Sequence, residues 1–321
     1  MVRPIAPEVV HVGSACRDVD VTEPRGWRLG GGVTYAALTT ARLGLRTAAV
    51  VGVDAEAREA VELDLLRAAG VDLLLVHLSS GPVFHNVETP AGRVQTCIQV
   101  GVPLPVPALP ESWLRTVAWM IAPVAGEVRE AWAAPLPAEG FVGLAWQGFL
   151  RELRDGERVL RREPRPNALL RRADLVGVSH HDVPQETPLH DLSALLRPGA
   201  ILAVTQGPDG GLLLTLGPDG PERTIRWRPA LSDREVDPTG AGDTFLAALV
   251  ATAAHPNIAG HQRARVDIRV AAAAGSLAVE GHGLSGVPDR AQVLTRIVRD
   301  RVRRAFGPAH AQVVGSYPRH R

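Results

Sequence analysis

Short apolar runs alternate with segments of helical period along most of the chain. Residues 9–12 form an apolar run of strand length, residues 33–43 place apolar side chains at helical spacing, and residues 47–52 return to the strand pattern. Residues 55–69 read as one helix closed by Gly70 at its C-terminal cap, followed by a strand at 71–77. Residues 117–121, 142–145, 175–178 and 201–205 repeat the strand signature, with helical or loop segments between them. Strands that are apolar throughout, rather than alternating, are buried on both faces. The rhythm therefore predicts a mostly parallel sheet covered by helices on either side. Two regions depart from it. Residues 83–88 and 93–98 alternate and flank Thr-Pro-Ala-Gly, which predicts a hairpin outside the main sheet, and residues 211–216 and 223–227 form a second strand pair around Gly-Pro-Asp-Gly. Residues 306–321 lack periodicity and are expected to be a flexible tail.

Composition narrows the chemistry. With 321 residues, 45% of them hydrophobic and 21% charged, the chain is that of a soluble globular protein with room for one large core. All 35 basic residues are arginine, and there is no lysine. A phosphate-binding P-loop, a Schiff-base enzyme and a protein kinase of the usual kind each need a lysine, so all three are excluded. A lysine-free protein that handles phosphate must use backbone amides, helix ends, arginine or a metal. The net charge of +1 leaves no electrostatic footprint for nucleic acid. The arginines gathered in 151–172 and 299–304 read as solvated helix faces. Two cysteines, Cys16 and Cys97, make no disulfide framework. No apolar stretch reaches the ~20 residues needed to span a bilayer, and no signal-peptide pattern opens the chain, so a cytoplasmic protein is expected.

The most informative string is Asp237-Pro-Thr-Gly-Ala-Gly-Asp243, followed by an apolar helical run. A glycine-rich turn at a helix N-terminus offers unpaired amides and the positive end of the helix dipole, which together form an anion site. Gly240 and Gly242 allow close backbone approach. Asp243, in the first turn beside that site, is placed to accept a proton from a hydroxyl that attacks a phosphoryl group.

This string resembles the C-terminal signature of the ribokinase/PfkB family of carbohydrate kinases. The resemblance implies that Asp243 is the catalytic base and that the amides of Gly240, Ala241 and Gly242 form the anion hole. Other segments follow in the family's order over roughly residues 8–290. Residues 10–18 look like the first strand and the Asp, Asp18, that binds substrate hydroxyls. Residues 30–44 look like the N-terminal signature, a Gly-Gly turn before a helix. Residues 204–210 look like the strand and turn lining the nucleotide site, and 271–283 like the helix and loop near the adenine. The implied fold is a ribokinase-like three-layer α/β/α sandwich with a mostly parallel central sheet and a small β lid. One kinase domain would span residues 1–305, with lid strands near 14–30 and 83–98. The implied acceptor residues are Asp18, Gly31, Tyr35, Asn86 and Arg93. Thr205, Gly207, Gly210 and Gly283 would bind the nucleotide, and Asp182 a metal through water. ATP and magnesium are the implied cofactors. The family also includes members activated by a monovalent cation and members whose lid strands pair across a homodimer, and nothing in the sequence decides either.

Three positions depart from the family pattern. Tyr35 stands where an Asn commonly contacts the sugar. Ser179-His-His-Asp182 replaces the Asn-x-x-Glu motif that positions magnesium. Ala272 stands where an Asn is frequent near the adenine. A finer likeness, carried by Phe84-His-Asn86, residues 92–95, 122–127 and 147–151, links the chain to the branch that includes plant myo-inositol kinases. The expected activity is thus phosphorylation of a sugar or polyol/cyclitol hydroxyl by ATP. A nucleoside kinase of the same fold and a catalytically silent binding protein are the alternatives. Gly30-Gly-Gly is no dinucleotide fingerprint, because Tyr35 takes the third glycine's place and no buried strand precedes it. His180, His181 and His190 match no zinc spacing.

Overall fold

Seven parallel strands form the body of a nine-stranded sheet in the computed structural model, which describes residues 5–89, 92–184, 187–254 and 266–306. All but the first residue of the expected tail lies outside them. In chain order, β1 (Val9–Ser14), β2 (Cys16–Val19) and β3 (Trp27–Gly30) precede α1 (Gly32–Arg42). β4 (Thr47–Val53) leads through α2 (Ala55–Arg58) and α3 (Glu62–Ala68) to β5 (Asp72–His77). The antiparallel pair β6 (Val83–Thr89) and β7 (Gly92–Gln99) follows, then β8 (Ala118–Ile121) and β9 (Phe141–Ala145). Three two-residue strands, β10 (Arg151–Glu152), β11 (Glu157–Arg158) and β12 (Leu160–Arg161), come before α4 (Ala168–Arg172) and β13 (Leu175–Ser179). After α5 (Leu189–Ala194) come β14 (Ile201–Thr205), β15 (Gly211–Gly217) and β16 (Gly220–Trp227). The helices α6 (Ala241–Ala254), α7 (Ile268–Ala278) and α8 (Arg290–Phe306) close the described chain.

The sheet order is β16-β15-β14-β13-β9-β8-β1-β4-β5. β15 and β16 are antiparallel and the other seven strands run parallel, so Ser14, Val53, Ile121, Ala145, Ser179 and Thr205 all finish at one edge. Ligands of open parallel sheets bind at that edge. One sheet face packs on α1, α6 and α7. The other carries a second core that includes Trp119, Trp132 and Trp146, all fully buried. Helix α6 is drawn tight against the sheet by two missing side chains. A Cβ on Gly143 would lie 2.5 Å from Val250, and one on Gly177 would lie 2.8 Å from Leu246. These glycines sit on the neighbouring strands β9 and β13, and their bareness sets the seat of the helix whose first turn bears Asp243.

The single helix expected over residues 55–69 is two helices. Ala57, Ala60, Leu63 and Leu66 are buried at a spacing of three, and a continuous α-helix would rotate such a set off the sheet. The break at 59–61 resets the register. It also brings Glu62 to the lid, where its carboxylate accepts from Leu29 N (2.9 Å) and pairs with Arg25. Gly70, at φ +83°, follows α3 as expected.

A separate five-stranded sheet, ordered β11-β7-β6-β2-β3, forms the lid. Its strands arise from three distant chain regions, and β11 was not expected from the sequence. Phe84 and Cys97 on its inner side are buried with Cys16 and Val124, while Val87 and Ile98 are exposed.

Candidate active site

The Asp237–Asp243 loop is held from its first residue. Asp237 Oδ1 accepts from Thr239 N at 2.9 Å, and Asp237 Oδ2 accepts from Gly283 N at 3.1 Å. Gly240 takes φ +79°, and a Cβ there would lie 2.2 Å from the Tyr35 ring. Only glycine fits this turn, on both counts. The amide of Ala241 donates to Pro238 O at 3.3 Å, whereas those of Gly240 and Gly242 find no acceptor among the described residues. Two donors therefore stand open at the N-terminus of α6, and the third is held by a long bond.

Asp243 occupies the first turn of that helix, its carboxylate against the backbone of Gly32. A Cβ on Gly32 would lie 2.8 Å from Asp243 Oδ1. Burial pushes the Asp243 carboxyl up to about 6. Arg151 draws it down, and the charges of Asp182 and Asp18 add to the rise, with no hydrogen bond contributing. Arg151 lies among these three carboxylates. Its Nη1 donates to Val124 O at 3.1 Å, and its guanidinium lies 5.6 Å from the centre of the Phe84 ring. Asp182 caps its own turn, accepting from Ser179 N at 3.1 Å through one oxygen and from Gln147 Nε2 at 3.3 Å through the other.

From the lid comes a polar chain. Asp18 is buried, with Asn86 Nδ2 donating to its Oδ1 at 3.2 Å and Gln95 Nε2 donating to Asn86 Oδ1 at 2.7 Å. Gly30 faces Asp18, and a Cβ there would meet the carboxylate at 2.2 Å. Gly31, at φ +106°, is the N-cap of α1 and crosses Ser14 O so closely that a Cβ would lie 2.6 Å from it. The buried carboxylate of Glu127 stitches the adjoining loop, accepting from Ser14 N at 3.0 Å and Ala125 N at 2.8 Å. Arg93 lies on β7, with its side chain outside the described residues.

Residues 166–290, which hold β13 to β16, the glycine-rich loop and α7, match the pfkB family carbohydrate kinase model. That segment is similar to the pfkB family of carbohydrate kinases. The chain's fold is that of the ribokinase-family structures. A pyrophosphate-dependent kinase in the ribokinase family, complexed with a pyrophosphate analog and myo-inositol, superposes with a TM-score of 0.64 at 19% identity, covering 89% of this chain and 99% of the other. Arabidopsis thaliana ribokinase with ribose and ATP gives 0.64 at 19% identity over 91% and 99%. The Methanocaldococcus jannaschii nucleoside kinase gives 0.64 at 15% over 92% and 99%. No curated protein matches the chain by sequence.

The structure gathers Asp18, Asp182 and Asp243 around Arg151, and sets Gly31 and Gly32 on one side. Tyr35 lies deeper than an acceptor residue need be. It is 2% exposed, its ring beneath Gly240, and it shapes the turn. Thr205 ends β14, and its carbonyl accepts from His180 N at 3.0 Å. Gly207 is exposed, and Gly210, at φ +82°, is packed against the Trp227 carbonyl. Gly283 stands apart from that turn, beside Arg28 and the Tyr35 hydroxyl. Four residues that sequence reasoning passed over as site groups, Arg28, Gly32, Glu127 and Arg151, lie beside the expected site residues or the loops that carry them. The strings around Glu127 and Arg151 were visible, but only the fold shows that they converge. Among the described residues, no group of three or more His, Cys, Asp or Glu is arranged to hold a metal. The described residues do not build a metal cage; Asp182 is the carboxylate that could meet a magnesium brought by a phosphate ligand.

Proposed function

We propose that this protein transfers the terminal phosphoryl group of ATP to a hydroxyl of a small sugar, polyol or cyclitol. The observation that carries the reading is Asp243. This carboxylate sits in the first turn of a helix beside open glycine amides, and burial tunes it toward a base that works near neutrality. The acceptor hydroxyl enters beside Asp243, is oriented from the lid by Asp18 and Asn86, and gives its proton to Asp243 as it attacks. The open amides of Gly240 and Gly242 receive the charge that develops on the transferring group. Ala241 joins them once its long bond to Pro238 gives way. Arg151 supplies the fixed positive charge that a lysine supplies elsewhere, held off the carboxylates by Val124 O and the Phe84 ring. Asp182 would hold magnesium, which would supply charge neutralisation for the donor phosphates. The nucleotide lies toward Thr205, Gly207 and Gly210.

A polyol or cyclitol is favoured among acceptors by the Gln95-Asn86-Asp18 relay. It offers a carboxylate and an amide side by side, a pattern that reads adjacent hydroxyls through paired donors and acceptors. One panel tests the reading. Cyclitols, hexoses, pentoses and nucleosides are each offered with ATP or with pyrophosphate, and binding and phosphoryl transfer are both followed. Magnesium-dependent transfer from ATP to a cyclitol or sugar supports it. Transfer to nucleosides alone moves the acceptor class, and transfer from pyrophosphate alone moves the donor. Binding without transfer for every pair leaves a binding protein and overturns the reading.

A further inference from the structure

The lid reaches the Asp237–Asp243 loop through the guanidinium of Arg28. Arg28 lies on β3 directly opposite Asp18 on β2, so the two side chains share one face of the lid. Arg28 Nη1 is 2.7 Å from Asp237 Oδ2, the oxygen that also receives the Gly283 amide, and its Nε lies 3.8 Å from Asp20 on the lid's own turn. Asp20 is in turn fixed by Thr22, whose amide donates to it at 2.9 Å and whose hydroxyl donates at 2.6 Å. Arg28 and the Tyr35 hydroxyl both border Gly283, and the Tyr35 ring supports Gly240. Burial alone would push the Asp237 carboxyl up, but the Thr239 hydrogen bonds, the Arg28 charge and the Gly283 amide outweigh it and hold the group ionised. Arg28 is thus the cationic partner of the residue that opens the glycine turn, and it is carried on the strand pair that bears the acceptor-binding Asp18.

We propose that Arg28 is a positioning residue: it fixes the Asp237–Asp243 loop in its anion-binding shape, and it does so from the lid, so that seating the acceptor on Asp18 and setting the anion hole are one event. Within the turn the Ala241 amide reaches Pro238 O at 3.3 Å and the Thr244 amide reaches Gly240 O at 2.8 Å, bonds that shape the turn and leave its seat to Asp237. Asp237 aligns the turn through Thr239, and Arg28 determines where Asp237 sits. The inference rests on the kinase reading above for its effect on turnover, but not for its effect on the loop.

The test is a cycle of Arg28→Gln, Asp237→Asn and the double variant, with Arg28→Lys beside it. Steady-state turnover is measured with the best acceptor, and hydrogen exchange at the amides of residues 239–243. Misplacing the loop by about an ångström should lower kcat about 10²-fold, with the acceptor KM changed less than about threefold. Exchange should quicken at least about tenfold in Arg28→Gln at Thr239 and Ala241, whose amides hold acceptors in the loop. The double variant should be no worse than the poorer single one. Arg28→Lys should recover part of the loss, because it keeps charge without the fork that spans Asp237 and Asp20. Additive losses in the double variant would overturn the proposal, as would a loss confined to acceptor KM or unchanged exchange at Thr239 and Ala241. A wild-type chain that transfers no phosphoryl group would overturn the kinase reading instead, and the exchange comparison would still decide the role of Arg28. Should Arg28→Gln fail to fold, Asp237→Asn and Arg28→Lys carry the same comparison.

Discussion

Replacing Asp243 by Asn should remove turnover and strengthen the fold at once. The carboxyl moves from its ordinary 3.8 in the unfolded chain to about 6 in the folded one. Roughly two pH units at 1.36 kcal/mol each give a penalty of about 3 kcal/mol for holding the charge in place. The sign follows from proton counting. Between 3.8 and about 6 the folded state binds more protons than the unfolded one, so stability falls as pH rises through that window. The penalty is complete above it and absent below it. Asparagine carries no charge at any pH, but it leaves Arg151 short of one partner, so a gain of about 1–3 kcal/mol is expected at pH 8. Urea unfolding of both proteins at pH 8 and pH 4 measures it, and the difference between them should shrink toward zero at pH 4. Turnover should fall on the order of 10²–10⁴-fold with donor binding kept. The wild-type kcat/KM should lose a factor of ten per pH unit below about 6. Turnover within a few fold of wild type, or an acid limb near pH 4, would refute the argument from burial. A stability gain that persists unchanged at pH 4 would refute the charge as its source.

Three further outcomes follow from neighbouring geometry. Gly32→Ala puts a Cβ 2.8 Å from Asp243 Oδ1 and should cut turnover at least about 10²-fold while shifting the melting temperature little, read by kinetics beside calorimetry. Arg151→Gln should lower kcat about 10²–10³-fold with a smaller change in acceptor KM, and it should move the acid limb of the rate profile upward, because the cation that draws the Asp243 carboxyl down is gone. His11 is fully buried, bonded to Thr40 at 2.8 Å, and burial lowers its pKa from 6.5 to about 3. The unfolded chain therefore binds the extra proton between those values, and stability should fall by about 1.4 kcal/mol per unit as pH drops below 6.5, a slope that His11→Gln should make shallower in urea titrations.

What could be read beforehand divides along one physical line. The buried strands, the helix after Asp243 and the turn of Gly240 are local. Each is written in a few consecutive residues by periodicity or by the need for a bare backbone. The break between α2 and α3 is not local, because it answers to the sheet beneath Ala57, Ala60, Leu63 and Leu66 and to Glu62 reaching Leu29. Strand β11 has two exposed residues and pairs only because β7 offers a free edge. Arg151 looked like part of a solvated charge run. Its spacing says nothing of Val124, Phe84 or the three aspartates, which come from other parts of the chain.

The lack of lysine acquires a mechanistic meaning from these placements. A lysine head is a mobile point charge that can serve a phosphate from the end of a flexible stem. The cations here are planar forks pinned at several points, Arg151 by Val124 O and the Phe84 ring, Arg28 by Asp237 and Asp20. Charge supplied this way is set before the donor arrives and costs little reorganisation in the transition state. Each cation also bridges two bodies, Arg151 between Val124 O at the rim of the main sheet and Phe84 of the lid, and Arg28 between lid strand β3 and Asp237. The field at Asp243 draws on Arg151 and Asp182 beside the main sheet and on Asp18 from the lid, so it is complete only when lid and sheet are in register.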